Sequence, residues 1–333
     1  MEIREFAEKL AEKMQSLDTS GTSYTVYEAV KANFKGWTIR SAYEDANVAP
    51  VIYPYSYFGR YRAGEDMEKL AKEALVIIEK VHQGMQDFDT EKFLTADYIK
   101  EHCYFEIVNA KNNSSLAENC TYVSKLDLIA LPKVRVNFKQ DSFGAITINK
   151  YLQQNYLRMT DEEILGACQV KLNSEQFEVK SLIGVIHEMK SDVEFSDDFV
   201  DDILPAKNSA YVVTNLQKIG GANILFSTVK LDEVCRAVGF EEVFIIPSSR
   251  HEVLFMNPEM VEDPAQLQQM CKEVNENFVE EEDFLSDNIY HYDIRTHQLN
   301  LCNSLQELEK IHEQMDEAQS IAADIIESHA RRM

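Results

Sequence analysis

The order of patterns over the first 82 residues limits the fold more than any other feature of the chain. Ile3, Phe6, Leu10, Met14 and Leu17 recur at helical spacing, so residues 2–17 predict a helix with one apolar face. Asp18-Thr19-Ser20-Gly21-Thr22 ends it. Three strand-like runs follow with no helix between them: Tyr24–Val30, Trp37–Tyr43 and Val51–Phe58. The third gathers Tyr53, Tyr55, Tyr57 and Phe58 around Pro54, which predicts an edge strand or a bent one. Asp66 then caps a helix reaching about His82, with Met67, Leu70, Leu75, Ile78 and Val81 inward. A doubly wound parallel sheet needs a helix between successive strands, and here the strands come as a block. The expected class is therefore α+β, with mostly antiparallel sheets and helices packed on one face.

The middle of the chain is less periodic. Thr90–Glu101 reads as helix, Tyr104–Val108 as strand, and Leu126–Phe138 as a strand around Pro132. Ala145–Leu157 fits either state, while Thr160 with Glu163 makes a capping box. Residues 191–202, SDVEFSDDFVDD, hold six carboxylates and no Lys or Arg, and with Pro205 they mark the expected domain boundary. Beyond it come a strand at Tyr211–Thr214, a Gly220-Gly221 turn, a helix over 229–238, and strands Glu242–Ile246 and Glu252–Met256. Pro264 opens a helix to about Phe278, and Ile289–Tyr292 with Gln298–Leu301 predicts a hairpin.

A long terminal helix closes the chain from about Ser304 to Ser328, with Asn303 and Gln306 as its cap pair. Its seam of Leu308, Ile311, Met315, Ala318, Ala322 and Ile325 must be covered by its own domain or by a partner helix, the latter giving a homo-oligomer. The expected organisation is an N-terminal α+β region over 1–190, a second over 205–302, and the amphipathic helix over 303–333.

Composition removes several function classes. A chain of 333 residues builds a core without disulfides or a structural metal. Eleven glycines and seven prolines are too few for the turns of a β-sandwich or propeller. The formal charge of −24 repels phosphate, so neither direct nucleic-acid binding nor attachment to an anionic membrane is expected. It suits solubility, a divalent cation or a basic protein partner. Cys103, Cys120, Cys168, Cys235, Cys271 and Cys302 are scattered and form no C-x-x-C pair, which predicts reduced, buried thiols. With no apolar run near membrane-spanning length and no signal-peptide pattern at the N-terminus, the expected compartment is the cytoplasm.

Motif searches exclude more than they find. There is no P-loop, G-x-G-x-x-G, G-x-S-x-G or H-E-x-x-H, no kinase signature set is present, and no cofactor is expected. Pro247-Ser248-Ser249-Arg250-His251-Glu252 offers Ser248 or Ser249 as nucleophile beside His251 and Glu252; the same string also reads as a turn whose hydroxyls satisfy local backbone groups. Tyr290-His291-Tyr292-Asp293 with His297 offers His291, Asp293 and His297 to a transition metal, or forms a solvent-facing hairpin. Glu280-Glu281-Glu282-Asp283 lacks the glycine and spacing of an EF-hand and reads as a solvated face or a contact for a basic partner.

Several strings resemble blocks of an uncharacterised bacterial family, a domain of unknown function. They are Tyr211-Val212-Val213-Thr214-Asn215 with Gly221-Ala222, Ile246-Pro247-Ser248-Ser249 running into His251-Glu252-Val253, and Leu285-Ser286-Asp287 leading to Tyr290 and Tyr292-Asp293. Pro50-Val51-Ile52-Tyr53 and the Asp66 helix are similar to a further block, so the resemblance spans most of residues 20–300. It implies no activity, cofactor or catalytic residue. Two expectations follow: an interaction protein working through its acidic surface or last helix, and an enzyme, a hydrolase among the options, centred on Ser248, Ser249, His251 and Glu252.

Overall fold

The computed structural model describes residues 1–42, 50–85, 90–139, 142–189 and 210–315. The acidic boundary at 191–202 lies outside them. The chain divides into two compact units. The first takes Met1–Tyr104, Ser114–Thr121 and Pro132–Ala167, and the second takes Phe105–Asn113, Tyr122–Leu131 and everything from Cys168. The class is α+β, with antiparallel sheets throughout the registers described.

In the first unit, β1 (Ser23–Lys31), β2 (Phe34–Ala42) and β3 (Val51–Ile52) form an antiparallel sheet in that order. Helix Ile3–Leu17 turns Phe6, Leu10 and Met14 onto Ile39 and Ile52, and helix Met67–Met85 adds Leu70, Ala74 and Ile78 to the same core. The Asp66 carboxylate accepts the Glu68 and Lys69 N–H groups at 3.0 and 3.1 Å, as its cap position predicts.

One expectation fails here. The aromatic run after Pro54 is a helix, Tyr55–Arg62, and not the end of a strand. Pro54 already has helical backbone (φ −78°, ψ −2°), and its carbonyl accepts the Phe58 N–H. The aromatic residues then work at helical spacing: Phe58 and Tyr61 pack tilted against the Phe6 ring, with centroids 5.2 and 5.4 Å away. Expected helix Thr90–Glu101 is two pieces, Thr90–Phe93 and Ala96–His102, the second capped by Thr95. Thr160 and Glu163 form the reciprocal capping box, at 2.8 and 3.2 Å.

A further sheet contains β4 (Cys103–Asn109), β5 (Val123–Lys125), β6 (Leu128–Lys139) and β7 (Ser142–Thr147). Strand β6 pairs with β5 through Ala130 and with β7 from Lys133. Pro132 has no N–H to give, and it occupies the gap between the two registers.

The second unit carries a six-stranded antiparallel sheet in the order β13-β12-β10-β11-β9-β8. Its strands are β8 (Phe177–Ser181), β9 (Ala210–Asn215), β10 (Glu242–Ile246), β11 (Val253–Met256), β12 (Tyr290–Asp293) and β13 (Gln298–Leu301). Phe244, Ile246, Ile289 and Cys302 meet Leu267 and Cys271 of helix Pro264–Phe278, and Ile311 and Met315 of the last described helix, over 305–315. The rest of the expected run to Ser328, with Ala318, Ala322 and Ile325, lies outside the described residues. The helix cap is one residue later than expected. Ser304 Oγ accepts the Glu307 N–H, and Glu307 Oε2 accepts the Asn303 N–H. Asn303 is engaged elsewhere, its side chain accepting the Ile289 N–H at 2.8 Å and donating to Asn288.

All six cysteines are buried, and none of them forms a disulfide. Burial pushes the Cys235 and Cys302 thiols up to about 12 and Cys271 to about 11, which disfavours the thiolate form that acts as a nucleophile. Among the described residues no helix is long and apolar enough to cross a membrane.

Candidate functional site

The turn joining β10 to β11 contains every residue of the first candidate set, and its hydrogen bonds are directed inward. Ser248 Oγ donates to the Glu252 carbonyl at 3.1 Å, and the Ser249 N–H donates to the same carbonyl at 3.3 Å. Ser249 Oγ accepts the His251 backbone N–H at 3.0 Å. His251 Nδ1 accepts the Gly220 N–H at 3.1 Å, which places the ring proton on Nε2, 2.9 Å from Asp283 Oδ1. A serine nucleophile needs the base at its hydroxyl, and here both ring nitrogens are engaged by Gly220 and Asp283.

The turn is laced to its neighbours. The His251 carbonyl accepts Thr214 Oγ1 at 2.7 Å and the Gly221 N–H at 3.0 Å, and the Arg250 carbonyl accepts the Ala222 N–H. Gly221 is required by this approach, since a Cβ there would lie 2.3 Å from the His251 oxygen and 2.7 Å from Thr214 Cα. Beside the turn is a cleft of about 130 Å³, lined by Glu178, Lys180, Glu188, Lys218, His251 and Glu252 among others. Sites for small-molecule substrates run to roughly 300–1,000 Å³. Lys180 is already paired with Glu188 at 2.9 Å.

Across from the turn, Asp283 is the anchor. It meets His251 Nε2, its backbone carbonyl accepts the Arg250 N–H at 2.9 Å, and Arg250 lies between it and Glu106. Two backbone bonds to Glu280, from Asp283 and Phe284, close the loop in front of it. The turn is therefore a clasp that fixes one end of Glu280-Glu281-Glu282-Asp283, and Glu280, Glu281 and Glu282 stand exposed on that loop. The helix leading into the loop, Pro264–Phe278, buries Leu267, Cys271 and Asn275 on its inner face. On its outer face Met270, Val274 and Phe278 recur every fourth residue at 61%, 46% and 83% exposure. An apolar stripe thus runs directly into three carboxylates.

The second candidate set is distributed over three places. Asp293 stays at its hairpin: its carboxylate accepts the Arg295 and Thr296 N–H groups and pairs with the Arg295 guanidinium. His297, at φ +58° in the turn, reaches Asp232 at 3.1 Å. Asp232 also accepts the buried Tyr292 hydroxyl at 2.6 Å. Burial works to raise the Asp232 pKa, and the bonds from Tyr292 and His297 outweigh it, holding the carboxyl below its ordinary value. His291 goes to a different group. Its Nε2 lies 3.0 Å from Glu242 Oε2, and His312 Nε2 lies 3.3 Å from the same oxygen. The His291 hydrogen bond holds Glu242 down at about 2 against the opposing effect of its burial, with His312 adding to the shift.

Asp127 is a residue that pattern reading passes over. One carboxylate oxygen accepts Ser286 Oγ at 2.6 Å and Asn288 Nδ2 at 2.9 Å, and the other accepts the Tyr290 hydroxyl at 2.8 Å. The Leu285-Ser286-Asp287 block is therefore held by an acid some 160 residues earlier in the chain. The strings singled out in the sequence thus meet one another: the Thr214 and Gly221 block bonds the His251 block, and Asp283, two residues ahead of Leu285, bonds it from the other side.

No curated protein matches the chain, and no solved structure does. A family model matches residues 3–294, nearly the whole length. The chain belongs to that family, described as a family of unknown function (DUF5688).

Proposed function

We propose that the chain is a cytoplasmic, non-catalytic interaction protein, and that its contact surface is the outer stripe of helix Pro264–Phe278 with the acidic loop after it. The observation that carries this reading is Phe278, 83% exposed at the end of an apolar stripe and followed, after Val279, by Glu280, Glu281 and Glu282. Exposed aromatic anchors beside charge are the usual energetic centres of protein contacts. The matching partner is a basic amphipathic helix of another protein, apolar along one face with Lys or Arg beside it. A net charge of −24 steers such a partner in and keeps nucleic acid away.

The test is capture from the native cytoplasm with the tagged full chain in three forms. Phe278→Ala combined with Glu280→Lys, Glu281→Lys and Glu282→Lys is expected to lose a basic protein that the unaltered chain retains, and added salt to weaken that retention. Ser248→Ala with Ser249→Ala is expected to keep the partner and to cost about 1–2 kcal/mol of stability, through lost turn bonds. Unchanged capture by the charge-reversed form contradicts the proposal. So does loss of the partner in the serine variant at an unchanged melting temperature.

A further inference from the structure

Glu242, His291 and His312 come from three different elements, β10, β12 and the helix over 305–315, and put one ligand atom each within 4.8 Å of the others. Two neutral imidazoles and a carboxylate form a donor set suited to zinc and related divalent ions. The spacing suits it as well. Bonds of about 2.0–2.2 Å in a tetrahedral site separate neighbouring ligand atoms by about 3.3 Å. Here both Nε2 atoms stand 3.0 and 3.3 Å from the carboxylate oxygen.

The surroundings leave His291 able to ligate. Its side chain is fully buried, which fixes the ring against Phe244 at 5.4 Å between centroids. Its Nδ1 is buried with no hydrogen-bond partner, so no protein group on that side locks the proton onto either nitrogen. Glu242 and His312 are part-exposed, which gives an ion a way in from solvent and leaves a coordination position open to water. His312 lies beyond the matched residues 3–294, so the trio is a feature of this chain that the family match does not carry.

We propose that Glu242, His291 and His312 bind one divalent transition ion of the zinc class, which ties the 305–315 helix to the six-stranded sheet. The site is independent of the contact surface proposed above and stands or falls without it.

The test uses the full chain stripped of metal by chelation and titrated with cobalt(II), whose visible bands report tetrahedral ligation and whose near-ultraviolet bands report thiolate. His312 is the residue to replace, because its side chain is 47% exposed and His291 has none of that freedom. The expected result is one saturable equivalent with tetrahedral bands and no thiolate band, lost in His312→Ala. Zinc should also raise the melting temperature of the unaltered chain and leave His312→Ala unmoved. Absent saturable binding, equal binding by His312→Ala, or thiolate bands from the six cysteines would each overturn the proposal.

Discussion

A chain ending at Asn303 is expected to lose most of the stability of its second unit. The deletion takes away Ile311 and Met315, both buried, and Leu308, which packs against the same core of Phe244, Leu267, Cys271 and Ile289. Full burial of such a side chain is worth about 1.5–3 kcal/mol, so losing three removes on the order of 5 kcal/mol. That is a large part of what holds a domain of this size. The expected readout is a large fall in the melting temperature at unchanged oligomeric mass, because the described part of the seam faces its own unit. A truncated chain that melts like the full one while dropping from dimer to monomer would assign the helix to association.

Asp127→Ala is expected to be the most damaging single substitution at a polar residue. Ser286 and Tyr290 are both fully buried, and each directs its hydroxyl at Asp127. A buried donor left unpaired costs about 1–3 kcal/mol, so two of them with Asn288 imply about 3 kcal/mol or more. The conservative control is Tyr290→Phe, which removes one donor and leaves the carboxylate its other two partners, at a cost of about 1 kcal/mol. Denaturant melts of the three proteins measure this ordering. Equal midpoints for Asp127→Ala and the unaltered chain would show that the network does not hold the Ser286–Tyr290 segment.

Much of the fold is legible because it rests on local periodicity. The stripe Phe6–Leu10–Met14, the Asp66 cap, the Thr160–Glu163 box and the β10–β11 and β12–β13 hairpins are each written within a short stretch of chain. Local signals mislead where two periods fit the same letters. Tyr55, Tyr57, Phe58 and Tyr61 carry high strand propensity, yet the proline ahead of them starts a helix whose aromatic face meets Phe6. Asn303 and Ser304 both make good caps, and the demand of Ile289 for an acceptor takes Asn303 out of contention.

The site was legible in part. The Ser248–Glu252 string is distinctive, but its role depends on Asp283, Gly220 and Thr214, and no spacing in the sequence announces those pairings. The same holds for His291, whose neighbours on its own hairpin, Asp293 and His297, turn to Arg295 and Asp232, while its partners Glu242 and His312 come from other elements. Side-chain chemistry is readable from letters, but which side chains converge is decided by the sheet order β13-β12-β10-β11-β9-β8.

The proposed contact surface is the Met270–Phe278 stripe with the Glu280–Glu282 loop, and the Ser248–Glu252 turn is the clasp behind it. Hydrogen–deuterium exchange of the full chain, alone and with the captured basic partner, tests this most directly, because backbone protection reports where the partner sits. Added protection is expected over residues 264–283, with none at the cleft beside His251. Protection confined to 178–188 and 247–252, with the 264–283 segment unchanged, would contradict it.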